Sequence, residues 1–180
     1  MGQILVTGGT GNIGMYAVAE FVRRGHDVTV LDRNDEAPML TAIAPEADIV
    51  AGDILDVDLL TGIVRNREIS HILHLAGYLG PQSVTFPIKA LDVNCLGTAN
   101  IFDVALAHGV ERVCWSSSIA AVGTLPDYDG TPVDEDYRIA PTTTYGASKY
   151  YSELMTAIYR ERGLDATCIR VAFAFGLGKL

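Results

Sequence analysis

The sequence has little of several features that mark specialised classes of protein. Its three cysteines, Cys95, Cys114 and Cys168, lie far apart in apolar stretches, so we expect buried thiols and no disulfide framework. The four histidines are scattered and no C-x-x-C pair occurs, so we predict no metal site. Lysine and arginine number 13 against 22 aspartates and glutamates, and the net charge of −9 disfavours nucleic acid as a partner.

Long apolar runs are missing as well. No run approaches the length of a bilayer-spanning helix, and the N-terminus lacks a basic segment followed by an apolar one. We therefore predict no membrane partner and a cytoplasmic location, where thiols stay reduced. The composition, with 49% hydrophobic and 19% charged residues among 180, is typical of a globular domain with a full core.

Short apolar runs alternate with segments of helical periodicity along the chain. Strands that are buried on both faces read as continuous apolar runs, so this alternation predicts an α/β fold with a doubly wound parallel sheet. We expect a Rossmann-like strand order of 3-2-1-4-5-6 in a single domain over 1–180, and an irregular segment over 120–143. The predicted strands are 4–6, 28–31, 49–50, 72–75, 113–115 and 166–171, and the predicted helices are 13–24, 37–44, 56–65, 87–108 and 145–162.

A glycine-rich turn follows the first predicted strand. Its residues fit the dinucleotide fingerprint in two overlapping ways, as Gly9-x-Gly11-x-x-Gly14 and as Gly8-x-x-Gly11-x-x-Gly14. Glycine permits the tight turn, lets backbone N–H groups approach a pyrophosphate, and lets the helix pack on the strand. A plain glycine-rich turn is the alternative, but the strand before it and the helix after it favour a dinucleotide site. The candidate cofactor-binding residues of this turn are Gly8, Gly11, Asn12, Ile13 and Gly14.

Acidic residues at the ends of the next two strands indicate which dinucleotide binds. Asp32 ends the second predicted strand, eighteen residues after Gly14, where a carboxylate can accept from both ribose hydroxyls and repel a 2′-phosphate. This favours NAD over NADP, although the adjacent Arg33 could receive a phosphate. Asp53 could bind the adenine amino group. Both aspartates have an alternative interpretation as ordinary turn residues.

A tyrosine and a lysine share one face of the helix predicted after strand five. Tyr145 and Lys149 are four residues apart, a spacing that is common by chance in helices. A free phenol has a pKa near ~10, and a nearby ammonium would lower that pKa and make the tyrosine a better base. The serines 116–118 directly follow strand five, at the sheet edge where ligands bind. Of these we favour Ser118 as a substrate-binding hydroxyl.

Taken together, these segments resemble the short-chain dehydrogenase/reductase superfamily, specifically the NAD-dependent epimerase/dehydratase family of its extended branch. The resemblance implies Tyr145 as the acid/base, Lys149 on the nicotinamide ribose, and Ser118, with Ser117 as the alternative, on the reacting oxygen. It also implies further cofactor contacts from Asp53, Ile54, Leu75, Ala76, Gly77 and Asn94. The matching segments are the glycine turn, 52–54, 74–77, Asn94, 97–98, Asn100, 116–118, Gly123, Pro141, Tyr145 with Lys149, and 170–176.

Two departures from the family pattern bear on the reaction and the substrate. Ile119 and Ala120 stand where the related dehydratases carry an acidic pair, which disfavours elimination of water. The segment 173–175 reads Phe-Ala-Phe, where many sugar-nucleotide enzymes of the family carry asparagine. The absence of asparagine is also compatible with a smaller substrate, such as a polyol, a sugar acid or a hydroxy acid.

We therefore predict an NAD-dependent oxidoreductase or epimerase that acts on a carbinol of a sugar, a nucleotide sugar or a small hydroxy acid. Gln82 and Ser83, in a loop at 77–83, are the predicted substrate donors together with Ser118. The alternative is a non-catalytic NAD-binding sensor module. Because the family's chains run well past this length, we expect these residues to be the cofactor-binding part of a longer protein. We also expect a homodimer.

Overall fold

Six parallel strands form one sheet in a computed structural model that describes residues 2–123, 130 and 132–176. The sheet order is β3-β2-β1-β4-β5-β6, which confirms the predicted order. The strands are β1 (Gln3–Thr7), β2 (Asp27–Asp32), β3 (Asp48–Ala51), β4 (His71–His74), β5 (Arg112–Ser118) and β6 (Ala166–Val171). The helices are α1 (Asn12–Arg23), α2 (Pro38–Ile43), α3 (Val57–Asn66), α4 (Gly80–Thr85), α5 (Pro87–Leu91), α6 (Thr98–Ala107) and α7 (Thr144–Glu161).

Apolar strand residues bury both faces of the sheet. Leu5 packs in one core with Trp115 and Phe102, under the helices that follow β3, β4 and β5. Its neighbour Val6 packs in a second core with Val18 of α1. Successive strand side chains point to opposite faces, so one continuous apolar run supplies both cores. The carboxyl ends of all six strands consequently lie at one edge, above these cores.

The segment after β4 differs from the prediction. Residues 80–85 form the helix α4 where a loop was expected, and the predicted helix over 87–108 is interrupted by a π-helical turn, Asp92–Gly97, between α5 and α6. A π-turn accommodates one extra residue in a helix, which the apolar periodicity alone does not reveal. The predicted irregular segment 120–143 starts within a 3-10 turn, Ile119–Ala121, and is followed directly by α7 at Thr144. Residues 124–129 and 131 of this segment lie outside the described residues.

The segment Pro87–Ala107 contradicts the expectation that no run approaches the length of a bilayer-spanning helix. It is a helical stretch of 21 residues that is long and apolar enough to cross a membrane, by length and composition alone. Half of it is buried inside the protein, and α6 contacts α3, β4 and α7. The core helix of a globular protein meets the same criterion, so its apolar character is explained by this packing. The cytoplasmic location stays a prediction.

His74, at the end of β4, is a buried bridge between elements. Its Nδ1 lies 2.6 Å from Thr7 Oγ1 and its Nε2 lies 3.0 Å from Thr98 Oγ1. The Thr98 hydroxyl donates its proton to the Asn94 carbonyl at 2.7 Å, so Nε2 must donate to Thr98 and Nδ1 must accept from Thr7. Burial, aided by the charge of Lys149, lowers the pKa of His74 to about 3. The imidazole is therefore neutral at physiological pH.

We expect acid to destabilise the protein through His74. Between pH 6.5 and about 3 the unfolded chain binds a proton at this residue and the folded chain does not. The free energy of unfolding should fall by about 1.4 kcal/mol per pH unit, or about 2 kcal/mol between pH 6.5 and 5. Urea unfolding at several pH values measures this slope, which His74→Asn should reduce and His108→Asn, at an exposed histidine, should preserve. An NMR titration in which the His74 ring protonates near pH 6 in the folded protein would contradict the assignment.

Candidate active site

A cavity of about 470 Å³ opens at the carboxyl ends of the strands. This is the edge where ligands bind in doubly wound sheets. The cavity extends from the glycine turn and the end of β2 to the serines of β5 and the start of α7. The predicted site residues that line it are Gly8, Gly11, Asn12, Ile13, Gly14, Asp32, Arg33, Asp53, Ile54, Leu75, Ala76, Gly77, Ser118 and Tyr145.

The glycine turn has room for backbone only. Gly8 has a φ of +72°, and a Cβ there would lie 2.6 Å from the Ala76 nitrogen. A Cβ on Gly14 would lie 2.3 Å from the Gly8 oxygen. The first N–H groups of helix α1 have no intrahelical partners and no capping side chain, and Asn12, Ile13 and Gly14 line the cavity. In the described part of the chain Asn12 Oδ1 is buried without a hydrogen-bond partner. Unpaired N–H donors at a helix N-terminus are suited to bind the pyrophosphate of a dinucleotide, and the unpaired amide oxygen is suited to accept from a ribose hydroxyl.

The Asp32 carboxylate is fixed in orientation by a residue that the sequence analysis missed. Oδ2 accepts from the Thr10 backbone nitrogen at 3.1 Å and from its hydroxyl at 2.7 Å. Among the described residues, Oδ1 has only a long contact of 3.4 Å with the Asn34 nitrogen, so it retains capacity to accept from a ligand hydroxyl. Asp53 Oδ1 accepts from the Leu55 nitrogen at 3.0 Å, which is the local turn bond that its alternative interpretation expects.

At the other end of the cavity, the side chains of Ser118 and Tyr145 both line the wall, and the Ser118 hydroxyl acts to lower the pKa of the Tyr145 phenol. Ser118 Oγ also accepts from the Ala120 nitrogen at 3.2 Å, which leaves the serine proton for Tyr145 or a ligand. Tyr145 stands at the start of α7, where the Thr143 hydroxyl caps the helix by accepting from the Gly146 nitrogen at 3.0 Å. Ser118 and Tyr145 thus each stand at a capped turn at the sheet edge.

The pKa of Tyr145 differs from the prediction. Burial raises this pKa, and the hydrogen bond from Ser118 only partly opposes the rise. The charge of Lys149 does not overcome the effect of burial: its Nζ is 5.8 Å from the ring centroid of Tyr145 and donates to the Ser116 carbonyl at 2.8 Å. The protein's own groups therefore favour the neutral phenol.

Lys149 lies behind the cavity wall. Its side chain is 5% exposed, and Nζ is 5.6 Å from the ring centroid of Trp115. Burial lowers the pKa of Lys149 to about 8, so the ammonium is still the main form at neutral pH. A buried cation 5.8 Å from the Tyr145 ring can stabilise negative charge that develops on the phenol.

Besides Lys149, three predicted residues do not line the cavity. Asn94 is buried, and its amide accepts from the Tyr78 nitrogen at 2.7 Å and donates to the Tyr78 oxygen at 3.0 Å. Gln82 Oε1 accepts from the Leu79 nitrogen at 3.0 Å, and Ser83 is 1% exposed. The two expected substrate donors are used to begin and to pack α4, because this segment is a helix and not the loop that was predicted.

A second group that the sequence analysis missed holds Ser117. The Ser117 hydroxyl donates to Glu153 Oε1 at 2.5 Å, and Arg170 makes a two-pronged ion pair with the same carboxylate at 2.9 and 2.8 Å. The Ser117 proton is therefore already used, whereas Ser118 has its hydroxyl beside Tyr145. Glu153 is four residues after Lys149 on the helix, and no sequence pattern connected it to the strand.

Comparisons with known proteins show which family the chain belongs to. Residues 4–179 match the NAD dependent epimerase/dehydratase family. The UDP-glucose 4-epimerase of Lactobacillus helveticus is 35% identical over 170 residues, which are 93% of this chain and 50% of that protein. The mitochondrial L-threonine 3-dehydrogenase of Bos taurus is 34% identical over 172 residues, which are 93% of this chain and 44% of that protein.

The structural comparison points the same way. The crystal structure of the Thermus thermophilus UDP-glucose 4-epimerase in complex with NAD has a TM-score of 0.84, with 27% identity over 93% of this chain and 54% of that one. This chain spans about half the length of the relatives it matches. The expected cofactor, NAD, is confirmed at the level of the family. The chain belongs to the NAD dependent epimerase/dehydratase family, in the extended branch of the short-chain dehydrogenases/reductases.

Proposed function

We propose that this protein is an NAD-dependent epimerase that oxidises a carbinol of its substrate and reduces the resulting ketone again on the opposite face. The observation that carries the proposal is that Ser118 and Tyr145 line one end of a cavity that has a dinucleotide-type turn at its other end. An alcohol between these two ends would meet an acid/base and a cofactor together.

The cofactor would be held by the glycine turn and Asp32. The N–H groups at the start of α1 would bind the pyrophosphate, and Asp32 Oδ1 would accept from an adenosine ribose hydroxyl. Bound NAD supplies the hydride acceptor and a positive charge near the phenol. Lys149, which the family pattern assigns to the nicotinamide ribose, would have to give up its bond to the Ser116 carbonyl or share it.

Tyr145 would remove the hydroxyl proton of the substrate and later return it. The Ser118 hydroxyl would donate to the substrate oxygen and hold it beside the Tyr145 oxygen. Because burial raises the pKa of Tyr145, its ionisation depends on positive charge, and the buried ammonium of Lys149 supplies part of it. Ile119 and Ala120 provide no further acid here, which argues against elimination of water.

For the substrate we propose a nucleotide sugar, because the relatives named UDP-glucose 4-epimerase match over nearly the whole chain. A second candidate is oxidation of a small hydroxy acid. It is favoured by the apolar segment after β6, where Ala172 and Ala174 line the cavity and offer no polar side chain, and by the likeness to L-threonine 3-dehydrogenase. A non-catalytic sensor is disfavoured because Ser118, Tyr145 and Lys149 are all present and assembled.

An assay of the full-length protein with NAD distinguishes these candidates. Conversion of UDP-galactose to UDP-glucose without net NADH would support the epimerase. NADH formation with L-threonine or another hydroxy acid would support the dehydrogenase. Tight NAD binding with no turnover of either class of substrate would overturn both and leave the sensor.

Asp32→Ala should narrow the preference for NAD over NADP. In the unchanged protein we expect NAD to bind more tightly, because the carboxylate accepts from ribose hydroxyls and repels a phosphate. Its loss should weaken NAD binding by about tenfold, which corresponds to about 1.4 kcal/mol. Calorimetric titration with both dinucleotides measures the change, and Asp35→Ala, at an exposed aspartate nearby, is the matched control. Equal affinity of the unchanged protein for both would contradict the proposed role of Asp32.

We also propose that the protein forms a homodimer through an apolar face of α5 and α7. Ile88 on α5 and Leu154 and Ile158 on α7 are exposed by 72%, 49% and 49%. Leu154→Glu with Ile158→Glu should convert the dimer to a monomer in analytical ultracentrifugation, since a charge in an apolar interface is costly. Ile43→Glu, at an equally exposed position on α2, should leave the dimer intact. A monomeric unchanged protein at micromolar concentration would refute this proposal.

A further inference from the structure

Arg33 lines the cavity and is held against the aromatic ring of Tyr78. Its Nη1 donates to the Tyr78 hydroxyl at 3.2 Å, and its guanidinium carbon lies 5.2 Å from the centroid of the Tyr78 ring. Arg33 itself is exposed, whereas Tyr78 is 8% exposed. The ring is therefore the buried partner of the pair, and the arginine is the partner with space to turn away from it.

The backbone of Tyr78 is held by Asn94. The Asn94 amide pairs with both backbone groups of Tyr78, at 2.7 Å and 3.0 Å, and its Nδ2 also donates to the Ser148 hydroxyl at 3.2 Å. Asn94 is 1% exposed, so water does not compete for these bonds. The backbone of Tyr78 is therefore expected to stay in place if Arg33 turns towards a ligand.

Arg33 directly follows Asp32, which places a cation at the ribose end of the proposed NAD site. An arginine near this aspartate position accommodates the 2′-phosphate in NADP enzymes. To bind that phosphate, Arg33 would have to leave both the hydroxyl and the ring of Tyr78. We propose that Tyr78 is a specificity-determining residue: by holding Arg33 it denies NADP a phosphate partner, and together with Asp32 it favours NAD. This inference rests on the proposed NAD-binding function.

Tyr78 acts through Arg33, so its role is one of positioning. The prediction is a change in the ratio of NADP to NAD affinity, with NAD affinity itself within about twofold of the unchanged protein. Tyr78→Phe keeps the ring and the backbone bonds to Asn94 and removes only the hydroxyl. Tyr78→Leu removes the stacking surface as well. We expect the ratio to rise about threefold in the first variant and about tenfold in the second.

The test is calorimetric titration of NAD and NADP into the unchanged protein, both Tyr78 variants and the same variants in an Arg33→Ala background. The gain in NADP affinity should vanish in that background and should fall as salt is raised, because it is a contact between a guanidinium and a phosphate. An unchanged ratio in Tyr78→Phe and Tyr78→Leu with NAD binding intact would overturn the inference alone, as would an equal gain without Arg33. Failure of the unchanged protein to bind NAD would overturn the proposed function and this inference with it.

Discussion

Tyr145→Phe should lower the turnover number of the full-length enzyme by about 100-fold or more and leave NAD affinity within about twofold. Loss of general acid/base catalysis typically has an effect of roughly 10²–10⁴-fold. The substitution removes one oxygen and keeps the ring at the start of α7, so the fold and the cofactor end of the cavity should be unaffected. Steady-state kinetics and NAD titration on the same preparation separate the two effects.

The pH dependence and a matched variant strengthen this test. Because burial raises the pKa of Tyr145, the unchanged enzyme should become faster as pH rises, and Tyr145→Phe should lose that dependence. Tyr151→Phe, at an exposed tyrosine on the same helix, should keep full activity. Lys149→Met should reduce both turnover and NAD affinity, since the lysine is assigned to the ribose as well as the phenol. Normal turnover by Tyr145→Phe would refute the proposed mechanism.

Gly14→Ala should abolish tight NAD binding, with a loss of affinity of about 100-fold, and lower stability by about 1–3 kcal/mol. The new Cβ would lie 2.3 Å from the Gly8 oxygen and 2.7 Å from Gly9 Cα. Both neighbours are backbone, which cannot rotate away as a side chain can. The turn and the start of α1 must separate, and the N–H groups that face the cavity would then no longer converge on one anion.

A second glycine offers the control for this prediction. Gly62 lies inside α3, and a Cβ there would meet nothing within 4 Å. Gly62→Ala should therefore leave NAD binding unchanged and raise stability by about 0.5–1 kcal/mol, because alanine is the better helix former. Thermal unfolding and NAD titration of both variants give the comparison. Retained NAD affinity in Gly14→Ala would show that the turn does not hold the pyrophosphate.

Much of the fold could be predicted because its signals are local. Each strand is a short apolar run, and each long helix has apolar residues at helical spacing. Strands that alternate with helices are joined by helical crossovers, which predicts a parallel sheet. The exceptions occur where local signals are ambiguous. Residues 80–85 read as a loop but form α4, and the π-turn Asp92–Gly97 leaves no trace in a periodicity averaged over a long helix.

The sequence by itself determined the chemistry available at the sheet edge: a bare glycine turn, a carboxylate after β2, and the pair of Tyr145 and Lys149 after β5. Fixed spacings bring these groups to one edge, because parallel strands all end there. Only the tertiary structure decided how each group is held. Thr10 orients Asp32, and Asn94 supports Tyr78 instead of facing the cavity. Glu153 accepts the hydroxyl proton of Ser117. These contacts join residues far apart in the chain, so no local pattern could reveal them. Likewise, the pKa of Tyr145 is set mainly by burial, which depends on the packing of the whole fold.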